Sequence, residues 1–166
     1  QDMHLGKLTY FVNNFNLRDY LLNKGKQPDT EPQLVNIYVG DKDDNTTNFV
    51  FGSSLSTTPA INLTMNAVTA NVSGDTQQSI RHLVRILTYP TGYVVGKGGN
   101  GGNANVSTRG LGNDGTNGAD AILTCANVEL FIENYGVIGG GGGGGGASGI
   151  TDPYSAAAGV FSKTFL

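Results

Sequence analysis

The chain has 166 residues, of which 26 are glycine and only 14% are charged, a size expected of one domain with a distinct tip. Its net charge of −3 and ten scattered Lys and Arg residues exclude a nucleic-acid partner, which needs clustered cations. No apolar run approaches the roughly 18 residues required to insert a helix across a membrane.

In chain order, Leu8 to Val12 is the first strand candidate. Asn14 or Asn16 is placed to cap a short helix through Leu17, Tyr20, Leu21 and Leu22, with Gly25 as its left-handed stop. Leu34 to Val39 and Asn48 to Phe51 read as strands around the polar turn at Asp41 to Asn45. Ile61 to Val72 alternates loosely and predicts one or two more. Ile80 to Leu87 has helical spacing at Ile80, Leu83, Val84 and Leu87, but Thr88-Tyr89-Pro90 favours a strand. Cys125, the single cysteine, excludes an intrachain disulfide framework and reads as a buried small hydrophobe.

Glycine dominates what remains. Gly98-Gly99-Asn100 is followed by Gly101-Gly102-Asn103; Gly112, Gly115 and Gly118 again fall every third residue; and Gly139 to Gly146 are eight consecutive glycines. Period three is the turn period of the polyproline II helix, whose backbone is free to bond sideways. Lacking Cβ atoms, such segments can pack closely and exchange backbone contacts. Collagen is excluded, because only five prolines occur and none lies in the tracts. An internal repeat frames two tracts: Val84 to Gly96 and Val128 to Gly139 share the order strand, turn, short strand, glycine, with Val95-Gly96 matching Ile138-Gly139 about 43 residues later.

The expected fold is mainly β with one short N-terminal helix. A β-rich domain is followed by repeated strand–turn–glycine-tract rungs with packed polyglycine II-type helices. Residues 1–82 form the mixed N-terminal region, 83–150 the glycine-rich tip, and 151–166 a C-terminal tail that is docked or frayed. Gln1 in place of methionine suggests processing or excision from a longer protein.

Asn13-Asn14-Phe15-Asn16-Leu17, then Gly52-Ser53-Ser54 with Thr58-Pro59-Ala60, then Gly96 to Gly102, then Ile132 to Ile138 before polyglycine, form a familiar order. Over roughly residues 7 to 150 the chain resembles the receptor-facing modules of glycine-rich tail-fibre and tail-tip proteins of tailed phages and prophages. Its glycine segment is also similar to the polyglycine-helix tips of distal adhesins on T-even-like long tail fibres, although it has only three good tracts and a longer mixed domain ahead of them. The resemblance implies a non-catalytic adhesin, exposed on the virion, that recognises a bacterial polysaccharide or outer-membrane protein. It also implies a homo-oligomer, with a trimer favoured, or a monomeric cap attached to another virion protein. The loops joining the glycine helices would make the contact.

Carried to this chain, that logic selects Asn105, Ser107, Thr108 and Arg109 in the segment that interrupts two phased tracts. Arg109 is the only charge between Lys97 and Asp114 and can pair with an anionic sugar or phosphate. Asp152 and Tyr154, in the turn after the octamer, complete the set. Tyr154 is of the amphipathic kind enriched at recognition surfaces.

Catalytic signals are weak. Gly96 to Gly101 satisfies G-x-G-x-x-G, but no amphipathic helix follows to hold a pyrophosphate. Asp41, Asp43 and Asn45 begin like a calcium loop, but Thr46 stands where glycine is required and Gly52 where the bidentate glutamate belongs. His4 and His82 lack ligand-spaced neighbours, so no metal or other cofactor is expected. Asp114 with Asp120, or Glu129 with Glu133, are the carboxylate pairs a glycan depolymerase would use. A structural virion or surface protein, with the glycine tracts building a stalk or oligomer contact, is the main alternative to an adhesin.

Overall fold

A computed structural model of the chain describes residues 2–5, 11–74, 76–104 and 112–147. The strands in chain order are β1 (Asp2–Leu5), β2 (Phe11–Asn13), β3 (Phe15–Asn16), β4 (Leu34–Val39), β5 (Phe49–Gly52), β6 (Ile61–Asn62) and β7 (Val68–Ser73). They continue with β8 (Thr76–Ile80), β9 (His82–Thr88), β10 (Gly92–Val95), β11 (Ile122–Leu123), β12 (Val128–Asn134) and β13 (Val137–Gly139), and the one helix among the described residues, α1, spans Leu17–Asn23. The fold is therefore mainly β with one short helix, as expected. Ile61 to Val72 supplies two strands, β6 and β7, and the ambiguous Ile80 to Leu87 stretch is strand on both sides of Arg81, ending β8 and forming most of β9. The candidate strand at Leu8 to Val12 lies partly outside the described residues; Phe11–Asn13 forms β2.

Asn16 starts α1. Its backbone is extended and its side chain accepts the Asp19 amide at 3.1 Å, satisfying one of the orphan donors of the first turn. Gly25 ends the turn at φ +76°, the left-handed conformation that only glycine adopts without a steric penalty. Asn14 does different work. Its Oδ1 accepts the Ser54 amide at 3.0 Å and its Nδ2 donates to the Ser54 hydroxyl, tying the first turn of chain to the second.

The strands coil. β1, β4, β9 and β12 pair in parallel in one sheet, β2, β5, β10 and β13 in a second, and β3, β6 and β11 in a third. The chain visits the three sheets in turn, so equivalent residues of successive turns stack into columns. Met3, Ile37, Ile86 and Ile132 form one column; Val12, Phe51, Val94 and Ile138 form another. Alternation puts Val35, Ile37, Val39, Val84 and Ile86 inside, each at most 1% exposed, and each such burial contributes roughly 1.5–3 kcal/mol. The helix adds Leu17 and Leu21 to the same core. β7 and β8 leave the coil as an antiparallel hairpin.

The repeat seen in the sequence corresponds to the last two turns, with a shifted register. Val94, not Val95, pairs with Ile138, and Val84 pairs with Leu130 rather than Val128. At the corner between Thr88 and Tyr93 the chain is longer than at the corner between their partners Asn134 and Val137, so one sequence offset cannot serve both strands. These corners stack closely: a Cβ on Gly136 would lie 2.2 Å from the Gly92 carbonyl oxygen.

Beyond the coil run three extended segments, 96–103, 112–120 and 139–147. Gly96, Gly99 and Gly102 donate their amides to the carbonyls of Gly139, Gly142 and Gly145. Gly141, Gly144 and Ala147 donate to Ala119, Thr116 and Asn113, which donate in turn to Lys97, Asn100 and Asn103. The bonds span 2.8–3.1 Å and recur at every third residue. The circuit is closed. The first and third segments are parallel continuations of β10 and β13, and the second runs back against both to β11.

Candidate functional site

The three-segment bundle holds together because its inward positions carry no side chain. A Cβ on Gly99 would lie 1.9 Å from the Thr116 carbonyl oxygen, on Gly115 2.0 Å from that of Gly144, and on Gly144 1.9 Å from that of Asn100. Outward positions differ: Lys97, Asn100, Asn103, Asn113, Asp114, Thr116, Asn117 and Asp120 give the first two segments a polar, exposed surface. The base is pinned to the coil, where the Lys97 amide donates to the Ser53 hydroxyl and its Nζ to the Ser54 carbonyl at 3.0 Å.

At the other end, the Asn113 amide reaches the Asn103 carbonyl at 3.0 Å and the Ala147 amide reaches the Asn113 carbonyl at 3.1 Å. Asn103, Asn113 and Ala147 therefore share one end. An extended backbone rises about 3.1 Å per residue, which puts Asn103 roughly 22 Å beyond Gly96. Asn105, Ser107, Thr108 and Arg109, and Asp152 and Tyr154, lie outside the described residues. Their points of attachment do not: Ala104 and Gly112 flank the first group, and Ala147 precedes the second.

The carboxylate pairs are far apart. Glu129 and Glu133 are four residues apart on β12, about 13 Å at strand rise, and Asp114 and Asp120 are six apart on an extended segment, about 19 Å. Glycosidic cleavage uses pairs separated by roughly 5–9.5 Å. Glu133 is also engaged, accepting from Arg85 Nη2 at 2.7 Å and from the Tyr135 hydroxyl at 2.7 Å. The Tyr135 bond, followed by that of Arg85, holds the Glu133 carboxyl below its ordinary range.

The Asp41 to Asn45 turn uses its acids on itself. Asp41 Oδ1 accepts the Asp43 amide, and Asp44 Oδ1 accepts the amides of Thr46 and Thr47 and the Thr46 hydroxyl. The Thr47 hydroxyl foremost, with these donors, holds the Asp44 carboxyl far below the usual carboxylate range. The amides of Gly96 and Gly99, which a phosphate loop would present, are bonded to Gly139 and Gly142. Among the described residues, no group of three His, Cys, Asp or Glu side chains is placed to hold a metal ion. Cys125 is half-buried rather than buried, with Sγ 3.5 Å from the Met65 carbonyl oxygen.

Two polar arrangements were not anticipated from sequence. Arg85, Glu133 and Tyr135 form an exposed cluster across β9 and β12; the outward parity of Arg85 and Glu133 in the paired strands was the available signal. Arg18 grips Asp29 with two bonds, at 3.0 and 2.6 Å, and Asn66 Nδ2 donates to the same carboxylate at 3.1 Å. Arg18 and Asn66 line a shallow groove with Thr64, Met65 and Cys125. No sequence pattern links Arg18, Asp29 and Asn66, which the coil alone brings together.

No curated protein and no solved structure matches the chain. The family described as phage tail fibre adhesin Gp38 matches residues 7–160, nearly the whole length. A β coil carrying a glycine bundle thus belongs to the Gp38 family of phage tail fibre adhesins, receptor-binding proteins of the phage tail.

Proposed function

We propose that this adhesin presents its host-contacting residues at the far end of the glycine bundle and binds without catalysis. One observation carries the reading: Asn103, Asn113 and Ala147 share one end, so the chain enters both candidate segments from a single place. Arg109, with Asn105, Ser107 and Thr108, and Asp152, with Tyr154, are the proposed contacts for a polysaccharide or outer-membrane protein exposed on the host cell. The bonding at every third residue, and the lack of room for a Cβ at the inward positions such as Gly99, Gly115 and Gly144, support reading the three segments as polyglycine II-type helices. Because that backbone is tied sideways, the connecting loops can vary without endangering a core.

In this reading 83–150 is the recognition tip, 1–82 its foundation and 151–166 a tail. β9 pairs with β4 across that boundary, so tip and foundation share sheets. The virion exposes the tip outside the cell and multiplies weak single contacts by avidity, as a homo-oligomer, with a trimer favoured, or by attachment to another virion protein.

The test is binding of fluorescently labelled protein to a panel of bacterial strains, with Arg109→Ala and Tyr154→Ala alongside. Strain-selective binding reduced by either substitution is expected. Selective binding untouched by both would move the contacts to the coil and overturn the proposed site.

A further inference from the structure

The groove beside α1 is lined by Arg18, Thr64, Met65, Asn66 and Cys125 and offers about 440 Å³ of space. Small-molecule sites fall in the range of roughly 300–1,000 Å³. The ends of successive turns of the coil meet there: α1 follows β3, Thr64 to Asn66 follow β6, and Cys125 follows β11.

Its polar groups are held in place. Arg18 Nε and Nη2 donate to the two oxygens of Asp29 at 3.0 and 2.6 Å, and Asn66 Nδ2 donates to Asp29 Oδ1 at 3.1 Å. Asp29 thus fixes two groups that line the groove without lining it itself. The 64–66 backbone is pinned as well. The Thr64 amide and hydroxyl donate to Asn62 Oδ1 at 2.9 and 2.6 Å, and the Met65 carbonyl accepts Asn127 Nδ2 at 3.1 Å. The Asn66 carbonyl accepts from His82 Nε2 at 3.2 Å. A ligand entering such a site pays little to order it.

The bonding capacity left over defines the ligand. Of the five guanidinium N–H bonds, Asp29 takes two, on the Nε side, which leaves an edge formed by Nη1 and Nη2. The Asn66 amide keeps a second hydrogen. Thr64 Oγ1 gives its proton to Asn62 and retains acceptor lone pairs. Arg18 is already neutralised by Asp29, so a bare anion would meet the carboxylate as well as the guanidinium, and a cation the reverse. A neutral ligand with neighbouring hydroxyls meets no such conflict: its oxygens accept from Arg18 and Asn66, and a hydroxyl donates to Thr64. Met65, 5% exposed, and the half-buried Cys125 add apolar, polarisable surface for the C–H face of such a molecule. We infer that the groove is a binding subsite for a neutral pyranose, whose vicinal hydroxyls take the remaining edge of Arg18 and the Asn66 amide. The subsite lies on the coil and does not depend on the contacts proposed at the end of the glycine bundle.

NMR titration of the full chain with methyl α-glucopyranoside, methyl α-galactopyranoside and methyl α-mannopyranoside tests it, because these differ in which neighbouring hydroxyls are cis. At least one should shift the amides of Thr64, Met65, Asn66 and Cys125 and saturate in the millimolar range. Asn66→Ala and Arg18→Lys should each weaken that binding about tenfold or more, the first by loss of a donor and the second by loss of the planar edge. An exposed ion pair adds little stability, so Arg18→Lys should stay folded, as its own spectrum will report. Asn66→Ala carries the test alone if it does not. An absence of shifts at these amides with all three glycosides overturns the inference, as does binding that neither substitution weakens. Equal shifts from inorganic phosphate would make the groove an anion site and overturn it too. No cell enters this measurement, so its failure is distinct from a failure of the strain-binding test.

Discussion

Asn100 and Thr116 are bonded to each other twice: the Thr116 amide donates to the Asn100 carbonyl at 2.9 Å, and the Asn100 amide donates to the Thr116 hydroxyl at 2.8 Å. The second bond is a side-chain device within a backbone lattice. The period-three circuit gives Asn100 a partner for its carbonyl but none for its amide, and the hydroxyl fills that gap. Thr116→Val keeps the shape and removes the acceptor, so it should lower unfolding stability by about 0.5–1.5 kcal/mol. Thr116→Ser should retain most of it. Denaturant unfolding of the three proteins measures the difference, and equal loss in Val and Ser variants would deny the hydroxyl any part.

Gly98 and Gly99 are adjacent, yet their surroundings predict opposite outcomes on substitution. A Cβ at Gly98 meets the Gly142 carbonyl oxygen at 3.6 Å, an ordinary contact, whereas at Gly99 it would sit 1.9 Å from the Thr116 carbonyl oxygen. Gly98→Ala should be neutral or stabilising by up to about 1 kcal/mol through reduced freedom of the unfolded chain. Gly99→Ala forces two segments apart and should cost about 1–3 kcal/mol. Thermal unfolding of the two variants decides it; similar effects would mean that the close approach of the segments is not what requires glycine.

The glycine phase is the part of this molecule most legible in its sequence, for the reason just given: closeness of backbones acts residue by residue, so it marks every third position. The cap at Asn16 and the stop at Gly25 are legible because local chemistry sets them. The coil is not. β3, β6 and β11 are two residues long, too short to show any period, and their pairing joins residues more than 40 apart. Phe15 against Ile61 and Ile61 against Ile122 follow from stacking of whole turns, not from a pattern within any of them. The candidate contacts around Arg109 and Tyr154 fall where the glycine phase of the sequence breaks, and a break in phase carries nothing of what those residues touch. Arg85 and Glu133 show the converse: a geometric pair, 2.7 Å apart, whose members stand 48 residues apart in sequence.

His82 and Thr88 close opposite ends of β9, both fully buried, and they should respond oppositely to removal of their polar atoms. His82 is satisfied on both sides: Nδ1 accepts the Gln33 amide at 3.0 Å, which leaves the ring proton on Nε2 to donate to the Asn66 carbonyl at 3.2 Å. His82→Leu leaves the part-buried Gln33 amide and Asn66 carbonyl without their ring partner, and should lower stability by about 1–3 kcal/mol. Thr88 Oγ1 has no hydrogen-bond partner among the described residues. Thr88→Val keeps the branched shape, removes the unpaired hydroxyl, and should raise stability by about 1 kcal/mol. Because the two positions lie at opposite ends of one strand with separate partners, their effects should add in the double variant. Chemical denaturation of the four proteins checks all three statements. Destabilisation by Thr88→Val would show that its hydroxyl is paired after all, and an innocuous His82→Leu would show that Gln33 and Asn66 find other partners without strain.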